Sequence, residues 1–144
     1  MIEPTQTRSR RYQPPEIPLA VIRCFVRRLS AAFPAQQVLL FGSFAKGGAS
    51  VDSDVDLLVV MPTSNEMRQA IQITMALEAP FPLDLIVRTP EHLARGLREV
   101  DWFLRDIMAT GKVLYAKSNR AVGPKGRGRL ARSTNARPKR VAAQ

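Results

Sequence analysis

Between Gly42 and Val60 the chain reads GSFAKGGASVDSDVDLLVV, with Asp52, Asp54 and Asp56 at the mouth of its most apolar run. Residues two apart in a strand point to the same face, so Asp54 and Asp56 present neighbouring carboxylates roughly 6–7 Å apart along the chain. The two cannot both stay ionised cheaply without a cation. Hard oxygen donors at a strand start suit Mg²⁺. Zinc would need a cluster of Cys and His that a chain with only Cys24 and His92 does not supply. Asp84 adds a third carboxylate in PLDLIV, at a position that folding alone would fill with Val or Leu. Three such carboxylates on adjacent strands would make a site for two metal ions about 3.5–4 Å apart, able to activate an attacking hydroxyl and neutralise a leaving phosphate.

GSFAKGG supplies a complementary half. Gly42 lets the backbone approach closely at a strand end, Ser43 offers a hydroxyl and an amide, and a helical turn after it would aim N–H groups at an anion. Lys46 adds a positive charge near phosphate. The Gly-Lys-Ser/Thr ending of a Walker loop is absent.

The elements that must hold these residues follow from hydrophobic period. IPLAVIRCFVRRLSAAF carries Ile22, Phe25, Val26, Leu29, Ala32 and Phe33 at helical spacing, with Pro18 suited to the first turn. Arg23, Arg27 and Arg28 fall on the solvated face, and Cys24 fits a small buried hydrophobe. QVLLFGS and DVDLLVV read as strands buried on both faces, and PLDLIVRT as a third. Between the second and third strands, Thr63 and Glu66 have capping-box spacing, and Met67, Ala70, Ile71, Met75 and Leu77 predict the buried stripe of a helix.

TPEHLARGL offers a Thr cap with Pro at the first helical position. His92, in that first turn, reads as a surface residue. A further helix carries Val100, Phe103, Leu104, Ile107 and Met108 on one face and ends at Gly111. Trp102 and Phe103 belong to that amphipathic pattern and are assigned to core or partner-helix packing rather than base stacking. KVLYA closes the chain of elements as a last short strand. The alternation of strands and helices is an α/β (α+β) class pattern.

The net charge of +10 divides unevenly. Residues 1–116 hold 13 Lys and Arg against 12 Asp and Glu, whereas residues 117–144 hold nine basic residues and no acidic one. The expected organisation is a disordered arm over 1–16, one domain over 17–116 and a basic disordered tail over 117–144. Such a tail, without an aromatic residue after Tyr115, would make only sequence-indifferent, salt-sensitive contacts with nucleic acid. No apolar signal region or membrane-length run is present, so a cytoplasmic protein with no membrane partner is expected.

Gly42-Ser43, then Ser53-Asp54-Val55-Asp56-Leu57, then Asp84 in a later strand, resembles the DNA polymerase β-like nucleotidyltransferase superfamily, in particular its minimal nucleotidyltransferases. The resemblance spans about residues 17–116 and implies a small mixed β-sheet flanked by helices. It implies transfer of a nucleoside monophosphate from ATP or another NTP, with two Mg²⁺ ions on Asp54 and Asp56. Gly42 and Ser43 would then cradle the β- and γ-phosphates, while Asp84 completes one metal and acts as base on the acceptor hydroxyl. Asp52 is left as a solvated turn residue. Lys46 stands where members commonly carry Arg, which keeps the charge but loses bidentate phosphate contact.

Minimal members are often paired with a helical HEPN-type toxin and act as its antitoxin by adding AMP to it, the acceptor preferred here. The alternatives are a small-molecule, aminoglycoside-like acceptor, which would usually need a further helical domain, and a non-catalytic partner- or nucleic-acid-binding module. Against the last, an inactive module has no reason to keep three uncompensated carboxylates at a strand edge.

Overall fold

Apolar residues at two different periods lay out the fold, which a computed structural model describes over residues 11–118. Helix α1 (Leu19–Ala32) follows Pro18 and buries Ile22, Phe25, Val26 and Leu29 along one stripe. Each of those side chains contributes about 1.5–3 kcal/mol through its burial. Strand β1 (Gln37–Phe41) leads through the one-turn helix α2 (Ser43–Lys46) to β2 (Val55–Val60). Next come α3 (Glu66–Ala76), β3 (Leu83–Arg88), α4 (Pro90–Arg98), α5 (Trp102–Thr110) and β4 (Lys112–Ala116).

The four strands form one mixed sheet in the order β3-β2-β1-β4. β1 is antiparallel to both β2 and β4, while β2 and β3 are parallel, joined by the α3 crossover. This is the expected mixed sheet flanked by helices.

Alternation within the strands feeds two cores. Val38, Leu40, Val55, Leu57 and Val59 face α1 and Ile73 of α3. Leu39, Leu58 and Val60 face Leu93 of α4 and Leu104 and Ile107 of α5. The central strands are thus buried on both faces, as their continuous apolar runs require. β3 lies at an edge, and its burial alternates.

Several expectations need correction. Cys24 is exposed rather than buried, because it falls one position outside the α1 stripe. The N-cap of α3 is Asn65, whose side chain accepts from the Arg68 N–H at 2.9 Å, and not Thr63. The buried line of α3 runs through Ile73 to Leu77, leaving Met67 76% and Met75 81% exposed, with Ile71 exposed between them. Val100 is not on the α5 face: it turns the chain between helices with φ 63°, and Asp101 caps α5 by accepting from the Leu104 N–H.

Residues 11–16, expected in a disordered arm, lie against the domain. Tyr12 donates its N–H to the Pro80 carbonyl at 2.7 Å and packs on the first core. The remainder of that arm, and the basic tail beyond Ser118, lie outside the described residues. Among the described residues no helix is long and apolar enough to cross a membrane.

Candidate functional site

Strand directions bring the singled-out residues to one end of the sheet. β1 ends where β2 and β3 begin, so Asp56 is paired with Phe41 on one side and Asp84 on the other. Asp54 sits just ahead of β2 rather than within it, on a loop braced by the Ser50 N–H donating to Ser53 Oγ at 2.8 Å. Asp52 is exposed in that loop, as expected of a turn residue. In β2, Asp56 shares its parity with Leu58 and Val60, and in β3 Asp84 shares its parity with Ile86. Both carboxylates therefore belong to the sheet face covered by α4 and α5.

Gly42 forms the floor of this corner. Its φ of 75° and ψ of −155° belong to glycine, and a Cβ built there would collide with Asp56 Oδ2. The backbone can thus lie directly beneath the Asp56 carboxylate only because no side chain intervenes. Gly42 is also the N-cap of α2, its carbonyl accepting from the Ala45 and Lys46 N–H groups at 3.1 Å. Ser43 opens that turn, and Gly47, left-handed at φ 84°, ends it.

Electrostatics marks Asp56 out. Desolvation first, then the negative charges of Asp84 and Asp54, push its carboxyl from 3.8 up to about 6. Three acids share one corner, and the innermost bears the strain of their repulsion. Among the described residues no three Asp, Glu, His or Cys side chains enclose an ion by themselves. An open set of carboxylates nevertheless fits Mg²⁺, which keeps several waters and takes one or two carboxylates together with substrate phosphates.

Lys46 is placed differently from the acids. Its ammonium lies 3.5 Å from Asp106 Oδ2 of α5, and both side chains are half exposed. A pair that open contributes well under 1 kcal/mol and is easily exchanged for another anion.

Two features were missed in the sequence. The Phe103 ring meets Phe41 edge-on, with centroids 5.7 Å apart at 87°, which brings the start of α5 beside the acids. Far from them, Glu66 of α3 accepts from the Thr89 N–H at 2.8 Å and bonds His92 Nδ1 at 2.9 Å, tying α3 to the start of α4. The capping-box spacing drew attention to Glu66 but pointed it at the wrong helix. A cavity of about 500 Å³ lined by Gln36, Gln37, Val60, Leu93 and Lys117 also opens at the far end of the sheet and contains none of the acids.

Residues 22–113 match the family profile of the nucleotidyltransferase domain, and the chain belongs to that family. Among its relatives is a protein of Methanocaldococcus jannaschii, provisionally named a protein adenylyltransferase. It is 27% identical over 97 residues, which cover 65% of this chain and 94% of that protein.

Of solved structures, one is a provisionally named nucleotidyltransferase of Sulfolobus solfataricus, 25% identical, with a TM-score of 0.43 over 54% of this chain and 71% of that one. Another is a toxin-antitoxin assembly crystallised with AMP-PNP, 20% identical, with a TM-score of 0.43 over 68% of this chain and 76% of that one. These superpositions are partial, and membership rests on the family profile.

Proposed function

We propose that this chain transfers AMP from ATP to a hydroxyl group of an acceptor protein, using Mg²⁺. The observation that carries the reading is the register in which Asp56 stands between Gly42 and Asp84 with its carboxyl pushed up to about 6, a crowding that a divalent cation relieves. Asp54, Asp56 and Asp84 are the residues that would hold two Mg²⁺ ions, which when bound neutralise the triphosphate and the charge of the departing pyrophosphate.

The chain's own groups do the rest. Gly42 lets the backbone at the end of β1 pass directly beneath the Asp56 carboxylate, and the Ser43 hydroxyl that follows donates to a phosphate oxygen. Asp84, exposed on an edge strand, is reachable by a large acceptor and takes the proton of its hydroxyl. The acceptor oxygen forms a bond to the α-phosphorus as the bond from that phosphorus to the bridging oxygen breaks. Pyrophosphate leaves with the electron pair. The Methanocaldococcus jannaschii relative supports a protein acceptor through its name. The resemblance to minimal nucleotidyltransferases supports a helical HEPN-type toxin as that acceptor, with this chain as its antitoxin.

The test is incubation of the full chain with α-labelled ATP, MgCl₂ and any HEPN-type protein found encoded beside it. Label on the partner that disappears with EDTA and with Asp56→Asn is the expected result. Full labelling by Asp56→Asn would sink the mechanism, and label passing only to an aminoglycoside would replace the protein acceptor by a small molecule.

A further inference from the structure

Helix α5 touches the chain on both sides of the Gly42-Ser43 turn. Phe103 packs edge-on against Phe41, the residue before Gly42, with ring centroids 5.7 Å apart. Three residues further along α5, on the same face, Asp106 Oδ2 lies 3.5 Å from the ammonium of Lys46, the last residue of α2. The backbone of Lys46 is itself part of the turn, its N–H donating at 3.1 Å to the carbonyl of Gly42, the residue that lies beneath the Asp56 carboxylate. Ser43 and Lys46 thus bracket one helical turn at the acidic corner, and Asp106 reaches that turn from α5.

An ammonium on a flexible four-carbon stem goes to the anion that meets it best. Among the described residues the one ion pair of Lys46 is with Asp106, and not with Asp54, Asp56 or Asp84. Asp106 is the only acid within α5, and the guanidinium of its neighbour Arg105 is engaged elsewhere, donating to the Leu97 carbonyl at 2.8 and 3.2 Å. With side chains 52% and 58% exposed, the pair is weak. A triphosphate held by Ser43 carries several negative charges against the single one of Asp106, so it wins the ammonium when both are present.

We propose that Asp106 is a positioning residue for nucleotidyl transfer, a counter-ion that holds Lys46 beside the phosphate cradle and yields it to the incoming triphosphate. The proposal rests on the nucleotidyl-transfer reading of the acidic corner and adds the group that governs its one nearby cation. Each binding event exchanges Lys46–Asp106 for Lys46–phosphate. The reverse exchange helps pyrophosphate to leave.

The test is a double-mutant cycle in the full chain, with α,β-methylene-ATP, which cannot be transferred, titrated by calorimetry in MgCl₂. The basic C-terminal extension is common to all the proteins compared, so its contribution cancels. Lys46→Gln should weaken binding about tenfold, the loss of one charge-assisted bond. Asp106→Asn should tighten it about two- to fivefold, the worth of an exposed pair that no longer has to be broken. In the Lys46→Gln background Asp106→Asn should change nothing, and Asp106→Glu, which keeps the charge, should restore wild-type affinity. Thermal melts of all variants should coincide within a few degrees. A residue with a merely structural role would lower both the melt and the affinity.

Equal tightening by Asp106→Asn with and without Lys46 overturns the exchange and leaves only a long-range charge effect. Unchanged or weaker binding by Asp106→Asn overturns it as well. Undiminished affinity of Lys46→Gln removes Lys46 from the phosphates and the proposal with it, while the carboxylate reading stands. A wild-type chain that does not bind α,β-methylene-ATP overturns the reading of the corner itself.

Discussion

At the residue scale the acidic corner turns on one contact, Asp56 over Gly42. Gly42→Ala places a methyl group where Asp56 Oδ2 lies and strains a φ of 75°. Nucleotide transfer should be lost, and the melting temperature should fall by an amount reflecting roughly 1–3 kcal/mol. Asp56→Asn should act in the opposite direction on stability. A carboxyl raised from 3.8 to about 6 on folding stabilises the protein fully below its unfolded value, and that contribution is lost as pH rises through 6. The metal-free wild type should therefore lose stability between about pH 4 and 6, and Asp56→Asn should flatten that slope. Discounted for the solvent that still reaches the group, the gain at pH 7.5 is on the order of 1 kcal/mol, readable in thermal melts with EDTA present. Ser43→Ala should weaken nucleotide binding by about 1.5–3 kcal/mol in calorimetry while leaving the melt unchanged. Asp56 and Asp84 were legible because each breaks an apolar strand pattern, and Asp54 because it stands two residues ahead of Asp56. Gly42's backbone angles and the Phe41–Phe103 contact were not, since both depend on where chain segments distant in sequence meet.

At the element scale the strands and the boundaries of α4 were legible from local chemistry, the Thr89-Pro90 start above all. Helix α3 shows where that stops. Met67, Ile71 and Met75 repeat every four residues, while Ala70, Ile73 and Leu77 repeat at three and four. Period alone cannot say which row meets the sheet. The edge position of β3 leaves room for only one row, and the second is exposed. Its cap was ambiguous for a similar reason, with Thr63 and Asn65 both able to serve. Asn65→Ala should destabilise the protein by about 1 kcal/mol in urea unfolding and Thr63→Ala by much less. Glu66 ties α3 to α4. Burial works to raise its carboxyl, but the Thr89 N–H, the His92 bond and the charges of His92 and Arg88 outweigh that and lower it below the usual value of 4.5. A depressed carboxylate stabilises above its unfolded value and loses that contribution as pH falls through the folded one. Glu66→Gln should thus cost stability at pH 7, with the difference from wild type shrinking below pH 4.5, as paired melts would show.

For the whole molecule, charge divides the nearly neutral domain from its basic C-terminal extension. Residues 117–144 hold nine of the 22 Lys and Arg and none of the 12 Asp and Glu, and the family match ends at residue 113. Lys117 still belongs to the sheet, its N–H donating to the Gln36 carbonyl at 2.8 Å, so the informative cut falls after Ser118. A chain ending there keeps both cores, the acidic corner and α5, and should melt and transfer nucleotide to its acceptor as the full chain does. It should lose most affinity for DNA or RNA. In the full chain that affinity should fall steeply with added salt, because each phosphate contact releases condensed counterions. Filter binding of a mixed-sequence duplex from 50 to 200 mM salt, roughly the range over which multi-contact complexes weaken by orders of magnitude, measures both effects. Binding that survives the cut would move the basic surface to the exposed Arg23, Arg27 and Arg28 of α1, on the sheet face opposite the acids. A shortened chain that folds but no longer modifies its acceptor would give the tail a part in recruiting it. The acceptor would then be recognised by negative charge, as an electrostatic contact requires.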